Sequence, residues 1–292
     1  MNIVLFGKSG QLGWELERTL ASLGNVAALD RGQLELSDLN AVQRTLEELK
    51  PNLIINASAY TEVDRAENEP ELAMKVNALA PGIMAEISRK LGATLIHYST
   101  DYVFDGQANT PYTEKDPTNP LNMYGKSKLI GEENIKQAGD AYLILRTSWV
   151  YSLRGNSFVN KVLGWARKNN TLRIVEDQVG SPTWARMLAE MTGLLLAQTQ
   201  GNLYEKIHEQ CGIYHLAGSG YTSRYEWAKQ ILANDPHHSE QTVQAIEPGR
   251  TEEFPTPATR PLFSALDCTH FEKTFGLRVP PWRSTLKLAM AV

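Results

Sequence analysis

The fold is decided at the start of the chain, where residues 2–13 read NIVLFGKSGQLG. The first five of these residues form a short β-branched and aliphatic run, which predicts a buried strand. Leucines at four-residue spacing from Leu12 to Leu20 predict an amphipathic helix after it. Three glycines separate the two elements and predict a tight turn; they are Gly7, Gly10 and Gly13.

The same alternation of strand and helix continues from this stretch as far as residue 150. Predicted strands cover 26–29, 53–56, 94–98 and 142–145, and predicted helices between them cover 39–49, 71–91 and 124–137. The strands are apolar and barely alternate, as is typical of parallel strands covered by helices on both faces. The sequence predicts an α/β fold with a doubly wound, Rossmann-like parallel sheet. Residues 1–150 are the predicted dinucleotide-binding domain, and 151–292 are mainly a smaller C-terminal substrate-binding domain with some segments returning to the sheet.

Composition narrows the class of protein. The 292 residues carry 29 basic and 33 acidic side chains, a net charge of −4, and the basic residues are scattered, so we expect no nucleic acid partner. The two cysteines, Cys211 and Cys268, lack metal-ligand spacing and are expected to be free thiols. We find neither a secretory signal nor a membrane span, and we expect a cytoplasmic protein.

Each glycine of the opening turn has its own physical reason. Gly7 allows the tight exit from the strand, Gly10 lets the backbone approach a pyrophosphate, and Gly13 permits close helix packing. The helix start then offers free N–H groups to the anion. After the second predicted strand, Asp30 is placed to accept hydrogen bonds from an adenosine ribose, which favours NAD, whereas Arg31 is able to pair with a 2′-phosphate. The choice between NADH and NADPH stays open, and Asp-Arg is also an ordinary surface turn.

A tyrosine and a lysine four residues apart, Tyr124 and Lys128, begin a predicted helix and share one face of it. A nearby ammonium stabilises phenolate, so Lys128 is expected to lower the pKa of Tyr124 and to bind the nicotinamide ribose. The fourth strand ends in hydroxyl side chains at the sheet edge where ligands bind. Of these, Thr100 is expected to hold a substrate carbonyl, with Ser99 as the alternative.

Together these motifs resemble the dTDP-4-dehydrorhamnose reductases, a branch of the extended short-chain dehydrogenase/reductase family, over essentially the whole chain. The matching stretches are residues 5–16 (LFGKSGQLGWEL), 63–67 (VDRAE), 99–106 (STDYVFDG), 120–128 (PLNMYGKSK), 145–151 (LRTSWVY) and 255–261 (PTPATRP). The resemblance implies reduction of the 4-keto group of dTDP-6-deoxy-L-lyxo-4-hexulose by NADPH or NADH. It implies a dTDP-linked 4-keto-6-deoxysugar as ligand, and we expect a monomer or weak homodimer.

The resemblance also assigns roles to residues. The implied catalytic residues are Thr100, Tyr124 and Lys128. The implied cofactor-binding residues are Gly7, Ser9, Gly10, Gln11, Leu12, Gly13, Asp30, Arg31, Glu35, Leu36, Ala57, Ala59, Tyr60, Thr61, Tyr98, Tyr124 and Lys128. The implied substrate-binding residues are Thr100, Asp101, Trp149 and Arg260. The alternatives for the last two are a core aromatic for Trp149 and a surface arginine for Arg260.

One position departs from the family pattern. Some members join subunits through a magnesium site built from glutamates, one of which corresponds to Glu15. The second corresponds to Arg186 here, and a cation repels a divalent metal rather than binding it. We therefore expect no metal.

Two rival functions remain. The chain is also similar to nucleotide-sugar epimerases and dehydratases, although Tyr102 stands after Asp101 where a dehydratase needs a glutamate. It also resembles a non-catalytic dinucleotide-binding regulatory subunit, that of methionine adenosyltransferase. The complete set of Thr100, Tyr124 and Lys128 favours a catalyst.

Overall fold

Six parallel strands form the central sheet of this computed structural model, which describes residues 1–199 and 201–291. The strands of the described residues are β1 (Asn2–Phe6), β2 (Asn25–Leu29), β3 (Leu53–Asn56), β4 (Thr94–Thr100), β5 (Tyr142–Thr147), β6 (Val150–Tyr151), β7 (Thr171–Val175), β8 (Val179–Gly180), β9 (Thr183–Trp184), β10 (Gly212–His215), β11 (Thr222–Ser223) and β12 (Ala245–Gly249). The six strands of the central sheet lie in the spatial order β2, β1, β3, β4, β5 and β10. The predicted α/β class with a doubly wound parallel sheet is confirmed.

Helices connect the strands and cover both faces of the sheet. They are α1 (Gln11–Leu20), α2 (Leu39–Leu49), α3 (Val63–Ala66), α4 (Pro70–Met74), α5 (Ala80–Leu91), α6 (Met123–Ala138), α7 (Phe158–Ala166), α8 (Ala185–Gln198), α9 (Leu203–Glu209), α10 (Arg224–Ala233), α11 (Thr269–Phe275) and α12 (Trp282–Met290). Among the described residues, no helix has both the length and the apolar character that crossing a bilayer requires.

Alternate side chains of β1 pack into two different hydrophobic cores, one on each face of the sheet. Ile3 and Leu5 join the cluster that contains residues of α1 and α8, whereas Val4 and Phe6 join the cluster of α2 and α5. All four side chains are at most 1% exposed, and each such burial stabilises the fold by about 1.5–3 kcal/mol. A strand buried on both faces has no polar side to alternate with, which is why its sequence is continuously apolar.

The predicted elements differ from the observed ones mainly at their ends. Strand β4 continues to Thr100 and β5 to Thr147, because the backbones of these last polar residues still pair in the ladder between the two strands. The single helix predicted over 71–91 is α4 and α5 joined by a π-helical turn at Lys75–Leu79. A π-turn inserts one residue per turn without changing the apolar pattern, so the sequence gives no sign of it.

The second half of the chain contributes to two cores. Side chains of α7, α10 and α12 form a third cluster around Trp227. Strand β10 completes the central sheet beside β5, and Phe271 and Phe275 of α11 pack into the first cluster with β1. The division of the chain at residue 150 stays a prediction.

Candidate active site

The carboxyl ends of β1, β3 and β4 meet where the strand order reverses, which is where ligands bind in open α/β sheets. The glycine turn lies at this edge. Gly7 adopts a φ of +94°, and a Cβ on Gly13 would lie 1.9 Å from the carbonyl oxygen of Gly7, so both positions require glycine. A Cβ on Gly10 would meet only that same oxygen, at 3.3 Å, and the backbone there is otherwise open.

A cleft of about 590 Å³ runs along this edge, within the ~300–1,000 Å³ typical of ligand sites. Every predicted cofactor and substrate residue lines it except Gly13 and Arg260; those that do are Gly7, Ser9, Gly10, Gln11, Leu12, Asp30, Arg31, Glu35, Leu36, Ala57, Ala59, Tyr60, Thr61, Tyr98, Thr100, Asp101, Tyr124, Lys128 and Trp149. Lining residues that we did not predict include Phe6, Leu29, Leu34, Val76, Thr147 and Val150. A glycine cradle with an open backbone beside a long cleft fits a dinucleotide.

At the β2 end of the cleft, charged side chains already have partners. Asp30 accepts hydrogen bonds from the backbone N–H groups of Gly32 and Gln33, at 3.0 and 3.2 Å. Arg31 is 2.7 Å from the carboxylate of Glu35 in an exposed ion pair. Such a pair is worth about 0–1 kcal/mol, so little free energy would be lost if Arg31 left Glu35.

Helix α6 positions Tyr124 and Lys128. Its N-cap, Asn122, accepts a hydrogen bond from the Gly125 N–H at 2.8 Å, which fixes where the helix begins. A Cβ on Gly125 would lie 2.1 Å from the carbonyl oxygen of Tyr102, so glycine allows the helix to touch the segment after β4. The contact places both Tyr124 and Lys128 on the cleft wall together with Thr100.

The pKa of Tyr124 is raised, not lowered as the sequence led us to expect. Burial raises it above its usual value of 10, and the charge of Asp101 adds to this, while a hydrogen bond with Thr100 acts in the opposite sense. The phenol is therefore protonated at neutral pH. Lys128 does not reverse this effect, because its Nζ is hydrogen-bonded to other partners.

Those partners are the carbonyl oxygen of Tyr98, 2.6 Å from Nζ of Lys128, and Nε2 of His97, at 3.0 Å. Lys128 is 1% exposed, and burial lowers its pKa to about 7. Burial also holds the pKa of His97 well below 6.5, so the imidazole is neutral.

The tautomer of His97 follows from the next partner. Oδ1 of Asn56 accepts the Ser58 N–H at 3.1 Å, so its Nδ2 donates to Nδ1 of His97 at 3.0 Å. We therefore assign the imidazole proton to Nε2, which donates it to the neutral amine of Lys128. Sequence reasoning missed Asn56 and His97, since both lie behind the cleft wall and carry no motif of their own.

The hydroxyls of Ser99 and Thr100, at the end of β4, differ in their hydrogen-bond partners. Ser99 donates to Glu132 Oε1 at 2.5 Å, and that carboxylate also takes two hydrogen bonds from Arg146, at 2.9 and 2.6 Å. Thr100 Oγ1 donates a longer hydrogen bond, of 3.1 Å, to Asp101 Oδ1 and accepts the Tyr102 N–H. The proton of Ser99 is held by a strong buried acceptor, and this favours Thr100 as the hydroxyl available to a ligand.

Trp149 and Arg260, both predicted to meet the substrate, have different surroundings. The backbone of Trp149 has a φ of +44°, and its ring lies where a Cβ on Gly180 would be, so that glycine makes room for it on the cleft wall. Arg260 forms two hydrogen bonds to Asp64, at 3.1 and 2.8 Å, and these anchor its loop to α3. It is not part of the cleft wall described above, and its contact with substrate stays a prediction.

Glu15, the one glutamate that matches the family's metal site, faces a cation. Its Oε2 is 3.3 Å from Nε of Arg186. The carboxylate therefore has a protein partner at the position where relatives would place a second acid. That no metal binds stays a prediction.

The fold and this site define a nicotinamide-dependent oxidoreductase of the short-chain type. The family described as RmlD substrate binding domain matches residues 1–292. A dTDP-4-dehydrorhamnose reductase of Salmonella typhimurium is 40% identical over 293 residues, which cover 98% of this chain and 96% of the relative. The chain belongs to the dTDP-4-dehydrorhamnose reductase family.

Solved structures agree with this assignment. A dTDP-4-dehydrorhamnose reductase from Clostridium acetobutylicum has a TM-score of 0.90 and 35% identity, covering 100% of this chain and 99% of that one. Another, from Bacillus anthracis in complex with NADP, has a TM-score of 0.88 and 32% identity, covering 99% and 98%.

Proposed function

We propose that this protein reduces the 4-keto group of dTDP-6-deoxy-L-lyxo-4-hexulose to give dTDP-L-rhamnose, using NADPH or NADH. The observation that carries the proposal is the presence of Tyr124, Lys128 and Thr100 on one cleft wall that continues to the glycine turn. Reductases of this name that are about 40% identical over almost the whole chain support the substrate. When bound, the nicotinamide supplies the hydride.

The residues of the chain supply the rest of the chemistry. Tyr124 is protonated at neutral pH, and its phenol donates that proton to the carbonyl oxygen as the alkoxide develops. The hydroxyl of Thr100 donates a hydrogen bond to the same oxygen. Lys128, when charged, donates a hydrogen bond to the nicotinamide ribose. Asp101 and Trp149 line the space where the sugar ring would lie.

The adenosine end of the cofactor would lie against Asp30, Arg31, Glu35 and Leu36. Asp30 suits the ribose hydroxyls of NADH, while Arg31 suits the 2′-phosphate of NADPH once it leaves Glu35. Because Glu15 is paired with Arg186, we further propose that the chain is a monomer or a weak homodimer that needs no bridging metal.

The direct test is a turnover assay with the purified chain and the 4-keto-6-deoxy nucleotide sugar. We expect oxidation of NADPH or NADH, followed by loss of absorbance at the nicotinamide band, with dTDP-L-rhamnose as product. Folded protein that gives no turnover with either cofactor would support the non-catalytic regulatory role instead. Turnover without added cofactor, by protein that retains oxidised NAD, would support an epimerase.

The pKa of Lys128 predicts how the rate depends on pH. An amine with a pKa of about 7 is charged below that pH and neutral above it. Because a charged amine binds the nicotinamide ribose more strongly than a neutral one, kcat/KM, which reports on the free enzyme, should fall above about pH 7. Tyr124, with its raised pKa, adds no second decline near neutrality. Rates measured from pH 6 to 9 test this.

The matched variant is Lys128→Arg, whose guanidinium stays charged across the range. Its kcat/KM is expected to be lower in absolute value but flat where the wild type declines. A wild-type profile without any decline between pH 6 and 9 would rule out this role for the lysine charge.

A further inference from the structure

Arg224, the first residue of α10, is a cation to which the predicted site assigns no role. Its guanidinium lies over the ring of Trp149, 3.7 Å from the centroid, and 4.9 Å from that of Phe158. Within residues 1–199 and 201–291, no carboxylate lies within 4.0 Å of it. The side chain is only partly exposed. A partly buried cation without a counter-ion costs free energy, which an anionic ligand would offset.

The backbone fixes this position. The Arg224 N–H donates to the carbonyl oxygen of Gln178 at 3.0 Å, and β11, just before it, pairs with β8. Gly180 of β8 is also the residue against which the Trp149 ring packs. Arg224 and the aromatic side chain on the cleft wall are therefore held by one two-stranded element, so the guanidinium is preorganised beside the cleft.

The charges around Arg224 leave it available. Asp101 interacts electrostatically with Arg224. Its carboxylate accepts hydrogen bonds from Ser148 at 2.8 Å and from Ser264 at 2.5 Å. Arg260, a second cation within electrostatic range, is held by Asp64. Burial lowers the pKa of Arg224 to about 10, so the group stays charged at neutral pH. Of the two guanidinium groups, Arg260 has a carboxylate partner, whereas Arg224 has none within 4.0 Å among the described residues.

We propose that Arg224 binds the diphosphate of the nucleotide-linked substrate, with its guanidinium held flat on Trp149. The inference rests on the proposed function and names the residue that recognises the nucleoside diphosphate. A guanidinium binds two phosphate oxygens at once, and stacking on an indole ring orients its plane without using its N–H donors.

The experiment compares dTDP binding to wild type and Arg224→Gln by calorimetry. We expect the Kd for dTDP to rise at least about tenfold, since a charged hydrogen bond of this kind is lost, while the Kd for NADPH stays within about twofold. The control is Lys229→Gln, which removes one positive charge from the exposed side of the same helix, where Lys229 pairs with Glu226. Its Kd for dTDP should stay within about twofold.

A dTDP affinity within twofold of wild type, in Arg224→Gln that still binds NADPH normally, overturns the proposal. If that variant does not fold, Arg224→Met keeps an unbranched side chain over Trp149 but carries no charge, and unchanged dTDP binding by it has the same meaning. Wild-type protein that binds dTDP yet gives no turnover refutes the proposed function but not the role of Arg224 in binding the diphosphate. Wild-type protein that binds no dTDP overturns both.

Discussion

Replacing Tyr124 by phenylalanine is expected to lower kcat/KM for the keto sugar at least about 100-fold. The substitution removes only the proton donor, and general acids contribute about 10²–10⁴ to rates. The ring should stay in place, because its edge-on contact with Tyr102, 5.7 Å between centroids, does not involve the hydroxyl. NADPH binding, followed by fluorescence, is expected to change by about twofold or less, so the loss will fall on the chemical step.

A control phenol lies at the surface, where Tyr204 donates to Asp140 at 2.7 Å. Tyr204→Phe removes the same atom far from the cleft and should retain the wild-type rate within about twofold. If folded Tyr124→Phe keeps a rate within tenfold of wild type, the phenol is not the proton donor, and Thr100 or water would have to take that role.

Replacing Glu132 by glutamine is expected to lower the free energy of unfolding by about 3–5 kcal/mol, because it leaves Arg146 as a buried charge without a counter-ion. Both side chains are at most 3% exposed, and Glu132 accepts hydrogen bonds from Arg146 and from Ser99. Chemical denaturation followed by circular dichroism measures the difference.

The neighbouring residue provides the control. Glu133 is exposed on the same helix, so Glu133→Gln should change stability by about 0.5 kcal/mol or less. The double variant Glu132→Leu with Arg146→Met removes both charges and should recover most of the loss. A loss below about 1 kcal/mol in Glu132→Gln would mean that the pair is not energetically coupled.

The parts of the site that could be predicted are those whose chemistry is local in sequence. The glycine turn lies within a few residues, as do Tyr124 and Lys128 on one helix face, and these features follow from backbone geometry and helix periodicity. The sequence predicts a doubly wound parallel sheet but not the order of its strands, because crossover connections restrict the possible topologies without selecting one.

The parts that could not be predicted depend on residues far apart in the chain. Leu34 and Val76 reach the same cleft from separate connections, and His97 meets Lys128 across 31 residues. The raised pKa of Tyr124 depends on burial, which a motif does not encode. Likewise, no pattern around Arg260 indicates that Asp64, 196 residues away, holds it.

Strand β10 has a consequence for how the protein is made. It comes from residues 212–215, yet it supplies the neighbour of β5 in the central sheet. Until that segment leaves the ribosome, β5 is a bare edge whose unpaired N–H and C=O groups invite pairing with other nascent chains. About three-quarters of the chain must therefore be synthesised before the six-stranded sheet can be completed.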